Sequence, residues 1–299
     1  MLAPFVILAA LQPAGAGQQL LARLAEEAGI FAREARNLIG EETLQQKAYS
    51  GPSRFQPGPA SAGLRTPPPR VQAREIVSEY GYTSLKDSPD SLREVRRVIS
   101  VDGRRVSTKG KTRETLTLDL RKASDKEKKR LLEEFARHGL AGAAVDFGQM
   151  IVLFREPTLN DYKFQFLRDD RLGADAVAVY AYEQKPEAGR GFTLFEGRKV
   201  HHQSLRGEVW CRTSDSTPIR ITLSSAFDSG SGKRKVSVRH EAVVDYQMTA
   251  HKVLAPASVV HRQFTNDRPE VENVFRYSAF RKFSSSADIK FTGTGPAPQ

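Results

Sequence analysis

Between Pro218 and Met248 apolar and polar residues alternate with a period of two. Ile219, Ile221, Leu223, Ser225 and Phe227 share one face of the first run, and Arg220, Thr222, Ser224 and Asp228 the other. After Ser229-Gly230-Ser231-Gly232, a hairpin-turn composition, the alternation resumes. Val236, Val238, His240, Ala242, Val244, Tyr246 and Met248 then oppose Ser237, Arg239, Glu241, Asp245, Gln247 and Thr249, and only Val243 breaks the polar face. A helix would scatter these side chains around its axis, so the pattern predicts two long antiparallel strands with one dry face and one wet face. At about 3.3 Å per residue the second is about 40 Å long. Strands of that length predict a curved sheet wrapped around something.

The period changes to three and four between Gln18 and Ile39. Leu21, Leu24, Ala28, Phe31, Ala35 and Leu38 form a stripe between Arg23, Glu26, Glu27, Arg33, Glu34 and Arg36. This predicts an amphipathic helix ended by Gly40, with the sheet's dry face as the surface it covers. Glu41–Tyr49 reads as a first strand. Residues 50–70, with Gly51-Pro52, Pro57-Gly58-Pro59 and Pro67-Pro68-Pro69, read as a loop that no strand ladder accepts. Glu75–Tyr82 alternates again. Val95–Val101 and Arg104–Val106 flank Asp102-Gly103, a hairpin signal. Ser124 is placed as the N-cap of a mid-chain helix over 124–138 that turns Leu131, Leu132 and Phe135 inward. Met150–Phe154, Asp161–Leu167 and Ala176–Tyr182 are read as further strands, and His251 and His261 as flanking a turn at Pro256. Residues 292–299 are Gly/Pro-rich and read as a disordered tail. The expected fold is α+β and mainly antiparallel: a curved, incomplete barrel over 71–291, with two helices as its cover.

Composition adds little to the fold and more to the setting. The chain has 299 residues and a net charge of +11. Between Arg93 and Arg130 fourteen Lys or Arg face six Asp or Glu. The basic residues there are not interleaved with aromatics, and no recognition helix appears, so nucleic acid is not an expected partner. Anionic lipid head groups are the polyanions that region 93–130 could meet, and a solvated strand and helix face is the plainer reading. Leu2–Leu11 is an apolar run of signal-peptide length, followed by the small residues Pro13-Ala14-Gly15-Ala16-Gly17. Residues 1–17 are therefore expected to be a signal peptide, although no Lys or Arg precedes Arg23. The run is too short for a transmembrane span, which takes about 20 apolar residues. The expected location is periplasmic or secreted. Cys211 is the single cysteine, so no intrachain disulfide is possible, and its place in a strand predicts a small buried residue.

Catalysis needs particular residue types grouped in one site, and the chain does not group them. No Walker or dinucleotide-binding glycine pattern is present. His201-His202 would point to opposite faces of a strand, so the pair cannot hold one metal ion. Asp and Glu residues are scattered. An enzyme, a metal and a cofactor are therefore not expected, and an unrecognised hydrolase ranks last among the readings.

Two stretches carry a family resemblance. Gly207-Glu208-Val209-Trp210-Cys211-Arg212 leads through Ser216-Thr217-Pro218 to Ile219-Arg220, and Phe275-Arg276-Tyr277-Ser278-Ala279-Phe280-Arg281-Lys282-Phe283 reads as a closing strand. The Gly207–Arg220 stretch resembles a hairpin of the lipoprotein-carrier (LolA/LolB-like) family of exported bacterial proteins. The Phe275–Phe283 stretch is similar to the closing strand of exported proteins of that broad type. The resemblance implies an incomplete barrel around a hydrophobic cavity, lidded by helices and holding acyl chains. The Pro-rich insertion and the mid-chain helix depart from the short carriers, and no ligand-handling residue of the family maps onto this chain. On this reading the cavity lining is Ile219, Ile221, Leu223, Phe227, Val238, His240, Val244, Tyr246 and Met248. The lid is Leu21, Leu24, Phe31 and Leu38, and the ligand a hydrophobic small molecule, lipid or lipoprotein. The alternative is a structural or protein-interaction module of the cell envelope whose core is filled.

Overall fold

The computed structural model describes residues 14–50, 70–86, 88–106, 133, 135, 137–140, 147–188, 192–196, 199–203, 205–229 and 236–282. Helix α1 (Ala14–Glu34) is followed by a 3-10 turn (Ala35–Asn37) and then by strands β1 (Leu38–Ser50), β2 (Arg70–Leu85), β3 (Ser88–Val101) and β4 (Arg104–Arg105). A second 3-10 segment (Met150–Phe154) runs into the short helix α2 (Glu156–Leu159). The rest is β5 (Tyr162–Leu172), β6 (Asp175–Gln184), β7 (Phe192–Glu196), β8 (Lys199–Gln203), β9 (Arg206–Arg212), β10 (Pro218–Ser229), β11 (Val236–Met248), β12 (Leu254–Thr265) and β13 (Arg268–Lys282). Eleven strands form one antiparallel sheet in the order β4-β3-β2-β1-β13-β12-β11-β10-β9-β6-β5, and β7 and β8 form a separate hairpin. The sheet does not close: β4 and β5 are its edges.

The sheet and the first helix share one core. Laid flat, eleven strands would span about 48 Å, far wider than a helix. Yet Leu20, Leu24, Ala28 and Phe31 of α1 belong to one continuous core with Tyr82 of β2, Tyr182 of β6, Ile221 of β10, Val244 of β11 and Phe275 of β13. The sheet is unclosed and one continuous core joins it to the helix, so the architecture is an open half-barrel with α1 on its concave side.

Most of the expected strands are present, and the differences have physical causes. The apolar stripe stays helical only to Glu34, and Leu38, Ile39 and Gly40 already belong to β1. Gly40 is therefore no helix stop. It sits at a register shift between Ile39 and Glu41, where a Cβ would lie 2.9 Å from the Ser278 carbonyl and 3.0 Å from the Phe280 ring. Leu38, expected in the lid, is a buried strand residue. Met150–Phe154 is a 3-10 segment, not a strand. A five-residue apolar run carries no decisive period, and this one is buried between α1 and the sheet, with the Ile151 N–H donating to the Tyr246 hydroxyl at 3.0 Å. Pro256 and His261 lie inside β12, not at a turn. The ladder tolerates the proline because the register shifts between Asp245 and Tyr246, beside the Tyr246–Pro256 pair. The Asp102-Gly103 turn is as expected, with φ of 50° and 74°. Of the mid-chain helix, Glu133, Phe135, Arg137 and His138 are described and helical, and Phe135 is buried. Residues 1–13, 51–69, 107–132 and 283–299 lie outside the described residues. With them lie most of the expected leader, the Pro-rich loop, the tail and much of the basic region.

Candidate functional site: the concave face of the half-barrel

Two chemically different surfaces share the concave face. The first is apolar. Ile221, Leu223, Val244, Tyr246 and Val259 present an aliphatic and aromatic floor that α1 and the 150–154 segment cover. Ile221, Val244, Val259, Leu24 and Phe31 are all fully buried. Phe31 meets Tyr82 edge-on, with ring centroids 5.2 Å apart. Burying each such side chain stabilises the fold by about 1.5–3 kcal/mol.

Of the expected lining residues, Ile221, Leu223, Val244 and Tyr246 are buried in this main core, and Val238 is buried outside it. Ile219 is buried too, but in a separate small cluster with Val177 and Val179. Phe227 and His240 are half-buried and lie in the second surface described below. Met248 is a correction: 45% of it is exposed, at the very end of β11, where the strand runs out beyond the buried Tyr246. Of the lid residues, Leu24 and Phe31 point into the core and Leu21 packs at its margin. Cys211 is fully buried, and burial pushes its thiol far above the ordinary range, so it is no nucleophile in this state.

The second surface is polar and equally buried. Arg96 on β3 gives Nε and Nη2 to both Glu42 oxygens at 2.7 and 2.8 Å, and Nη2 also to Glu94 at 2.7 Å. The Glu42, Glu94 and Arg96 side chains are at most 1% exposed. Aromatic rings enclose the guanidinium: its carbon lies 4.6 Å from the Phe135 centroid, 5.2 Å from that of Tyr80 and 5.4 Å from that of Phe275. Tyr80 and Tyr82 hydroxyls are 2.7 Å apart, and Tyr80 is 2.9 Å from Glu94. Tyr80 therefore donates to the carboxylate and accepts from Tyr82. Burial alone would lower the Arg96 pKa, but Glu42 and Glu94 outweigh it and hold the guanidinium charged. Burial raises Glu42, against the pull of Arg96. The cluster is sealed from above by the backbone of Gly148, where a Cβ would stand 2.7 Å from Glu94 Oε1 and 2.8 Å from the Tyr80 hydroxyl. Arg96 thus corrects the reading of region 93–130 as a solvated face: this arginine is a core residue.

Next to this cluster a directed chain of hydrogen bonds crosses four strands. Leu140 N–H donates to Gln46 Oε1, and Gln46 Nε2 donates to Asn273 Oδ1 at 2.7 Å. Asn273 Nδ2 faces His261 Nδ1 at 3.1 Å, and His261 Nε2 faces His240 Nδ1 at 3.0 Å. Once the amide orientations are set, each member donates to the next, so both imidazoles are neutral. Burial lowers His240 to about 4, and burial together with the neighbouring His240 lowers His261 to about 3. The rings are stacked in a row: Phe147 on His261 at 4.6 Å, His261 on His240 at 5.3 Å, His240 on Phe227 at 6.0 Å. The alternation of β11 places His240 on the inner face but cannot show its partners, because Gln46, Asn273 and His261 come from three other strands.

Among the described residues no group of three or more His, Cys, Asp or Glu side chains is placed to hold a metal ion. No described helix is long and apolar enough to cross a membrane. No family model matches the chain, and no curated protein matches it. Among solved structures the chain is similar to a domain assigned to outer-membrane lipoprotein sorting from Vibrio parahaemolyticus, with 10% identity over 91% of this chain and 95% of that one and a TM-score of 0.32. It is also similar to a LolA superfamily protein from Nitrosomonas europaea, with 12% identity over 88% and 94% of the two chains and a TM-score of 0.28.

Proposed function

We propose that this protein is a non-enzymatic binding protein of the bacterial envelope that holds an acyl chain or similar hydrophobic ligand against the apolar floor of the half-barrel, with α1 as the movable cover. The observation that carries the reading is the nature of that cover. The floor of Ile221, Leu223, Val244, Tyr246 and Val259 is closed not by a second sheet but by one helix and the 3-10 segment at 150–154, and the helix enters β1 through a short 3-10 turn. A helix held by a single apolar stripe can leave as a unit, and an acyl chain offers the floor the same kind of contact that Leu24 and Phe31 now supply. Export, a periplasmic setting and a lipid or lipoprotein ligand are parts of this proposal.

A second reading, a structural or interaction module with a filled core, is favoured by the complete burial of Ile221, Val244 and Phe31. The two are separated by native mass spectrometry of the protein purified from a bacterial envelope, combined with fluorescence titration by phenylnaphthylamine. A carrier shows a bound acyl mass and saturable probe uptake that fatty acid displaces. Val244→Trp, which fills the floor, removes both. A wild-type protein with no adduct and no probe binding rejects the carrier reading and leaves the filled module.

A further inference from the structure

Away from the concave floor, one end of α1 borders a surface pocket of about 320 Å³ lined by Ala32, Arg33, Arg36, Leu92, Val152 and Arg155. Its charged lining is three guanidinium groups and no carboxylate. Two acids adjoin these arginines in sequence: Glu34 is turned to Lys282, whose Nζ lies 2.9 Å from Glu34 Oε2, and Glu156 is exposed and does not line the pocket. The Arg33 and Arg155 guanidinium groups make no hydrogen bond or ion pair with another side chain among the described residues; of Arg155, the Thr158 hydroxyl bonds only the carbonyl. Arg155 Nε is cut off from solvent and has no hydrogen-bond partner. A buried donor left without an acceptor costs free energy. The carbonyl end of α1 supplies only about half a negative charge, which cannot balance the two guanidinium groups of Arg33 and Arg155. Leu92 belongs to the main core and Val152 packs against it, so the pocket has a firm apolar wall and charged rims. The backbone fixes Arg155: its N–H donates to the Val152 carbonyl and its own carbonyl accepts from Leu159 N–H at 2.8 Å.

We propose that this pocket binds a phosphate group, held by the fork geometry of Arg33, Arg36 and Arg155. Guanidinium groups match phosphate oxygens two at a time, and a tetrahedral oxyanion presents enough acceptors for all three. The pocket is at the small end of the size range for ligand sites. The source of the group is either a free phosphate ester or a phospholipid head group. None of its residues belongs to the apolar floor, so the pocket does not rest on the acyl-chain reading, although Ala32 and Arg33 are carried by α1.

The test is isothermal titration of the full chain at low ionic strength with inorganic phosphate and with glycerophosphate, beside co-sedimentation with phosphatidylglycerol vesicles. Wild-type protein binds at least one of the two soluble anions, and added salt weakens the binding. Arg155→Gln and Arg33→Gln each weaken it about tenfold or more, while Arg171→Gln, an exposed arginine of the β5–β6 hairpin, leaves it unchanged. Vesicle binding with the same dependence on Arg155 and Arg33 identifies the head group as the source. Soluble binding without it identifies a free ester. Arg33 is exposed, so Arg33→Gln keeps the test valid even if Arg155→Gln perturbs the fold. No binding of either soluble anion, or an equal loss in Arg171→Gln, overturns the proposal. Neither result bears on probe uptake by the concave floor.

Discussion

The two halves of the concave face are equally dry and tolerate change very differently. Beneath α1 the contacts are aliphatic and aromatic, non-directional, and replaceable by any surface of similar shape. Around Arg96 they are directional, and each group has been taken out of water on condition that its partner stays. Apolar burial degrades gradually when disturbed, whereas a buried charge left alone is a large penalty. On the carrier proposal the first half is the one that would open and reclose, and the second is suited to holding β1, β2, β3 and β13 in a fixed arrangement.

The sharpest way to break this contrast is Arg96→Met. It strands Glu42 and Glu94 in the core and is expected to cost about 3–5 kcal/mol in chemical denaturation. A loss below about 1 kcal/mol would mean that the cluster is wetter than its burial indicates. Next in size is acid. His240 and His261 titrate near 6.5 in the unfolded chain but are held at about 4 and about 3 when folded. The unfolded state therefore binds protons first as the pH falls through 6.5. Stability is present above that pH and is lost progressively down to about pH 3–4, by the order of a few kcal/mol. His261→Gln should flatten that part of the curve, and an unchanged slope would show that these imidazoles do not govern it.

The apolar half gives smaller effects. Overpacking it with Val244→Trp should cost about 1–3 kcal/mol when α1 is seated, less than Arg96→Met. A larger loss would reverse the ranking of the two halves. Smallest is the thiol test. Cys211 should label slowly in native buffer and quickly in denaturant, with little effect on stability. Rapid native labelling would mean that the β9 register is shifted by one residue, since such a slip exposes every buried side chain.

How much of this was legible in the sequence depended on how local each cause is. The strict alternation in β10 and β11 announced both strands and their inner face, because period two is a property of one strand alone. The stripe of α1 was equally plain, but its end was not. Leu38 fits the helical spacing, and what makes it a strand residue is pairing with Lys282, far away in the chain. Met150–Phe154 has no period to read, and its conformation is decided by what packs on it. Phe227 and His240 are half-buried, whereas Met248 is exposed because β11 ends there, an end that the alternation does not mark. Arg96 looked like one more basic residue in a basic stretch. Its role depends on Glu42, and neither spacing nor composition links residues on two strands that do not pair directly. The arginine pocket at the end of α1 escaped for the same reason, since Arg155 arrives from a different part of the chain.

The position of β1 has a kinetic consequence. The strand nearest the N-terminus is not at an edge: it lies between β2 and β13, with Leu38 opposite Lys282. The half-barrel is therefore incomplete until the last strand has emerged from whatever makes or moves the chain. Contacts between such distant residues must overcome the entropy of closing a very long loop before any pairing stabilises them, which slows folding. A nascent chain of this topology stays open-ended for most of its synthesis, with the dry faces of β2 and β3 waiting for a neighbour. Delay of that kind is a hazard in a crowded compartment, where an unpaired strand edge can meet another chain.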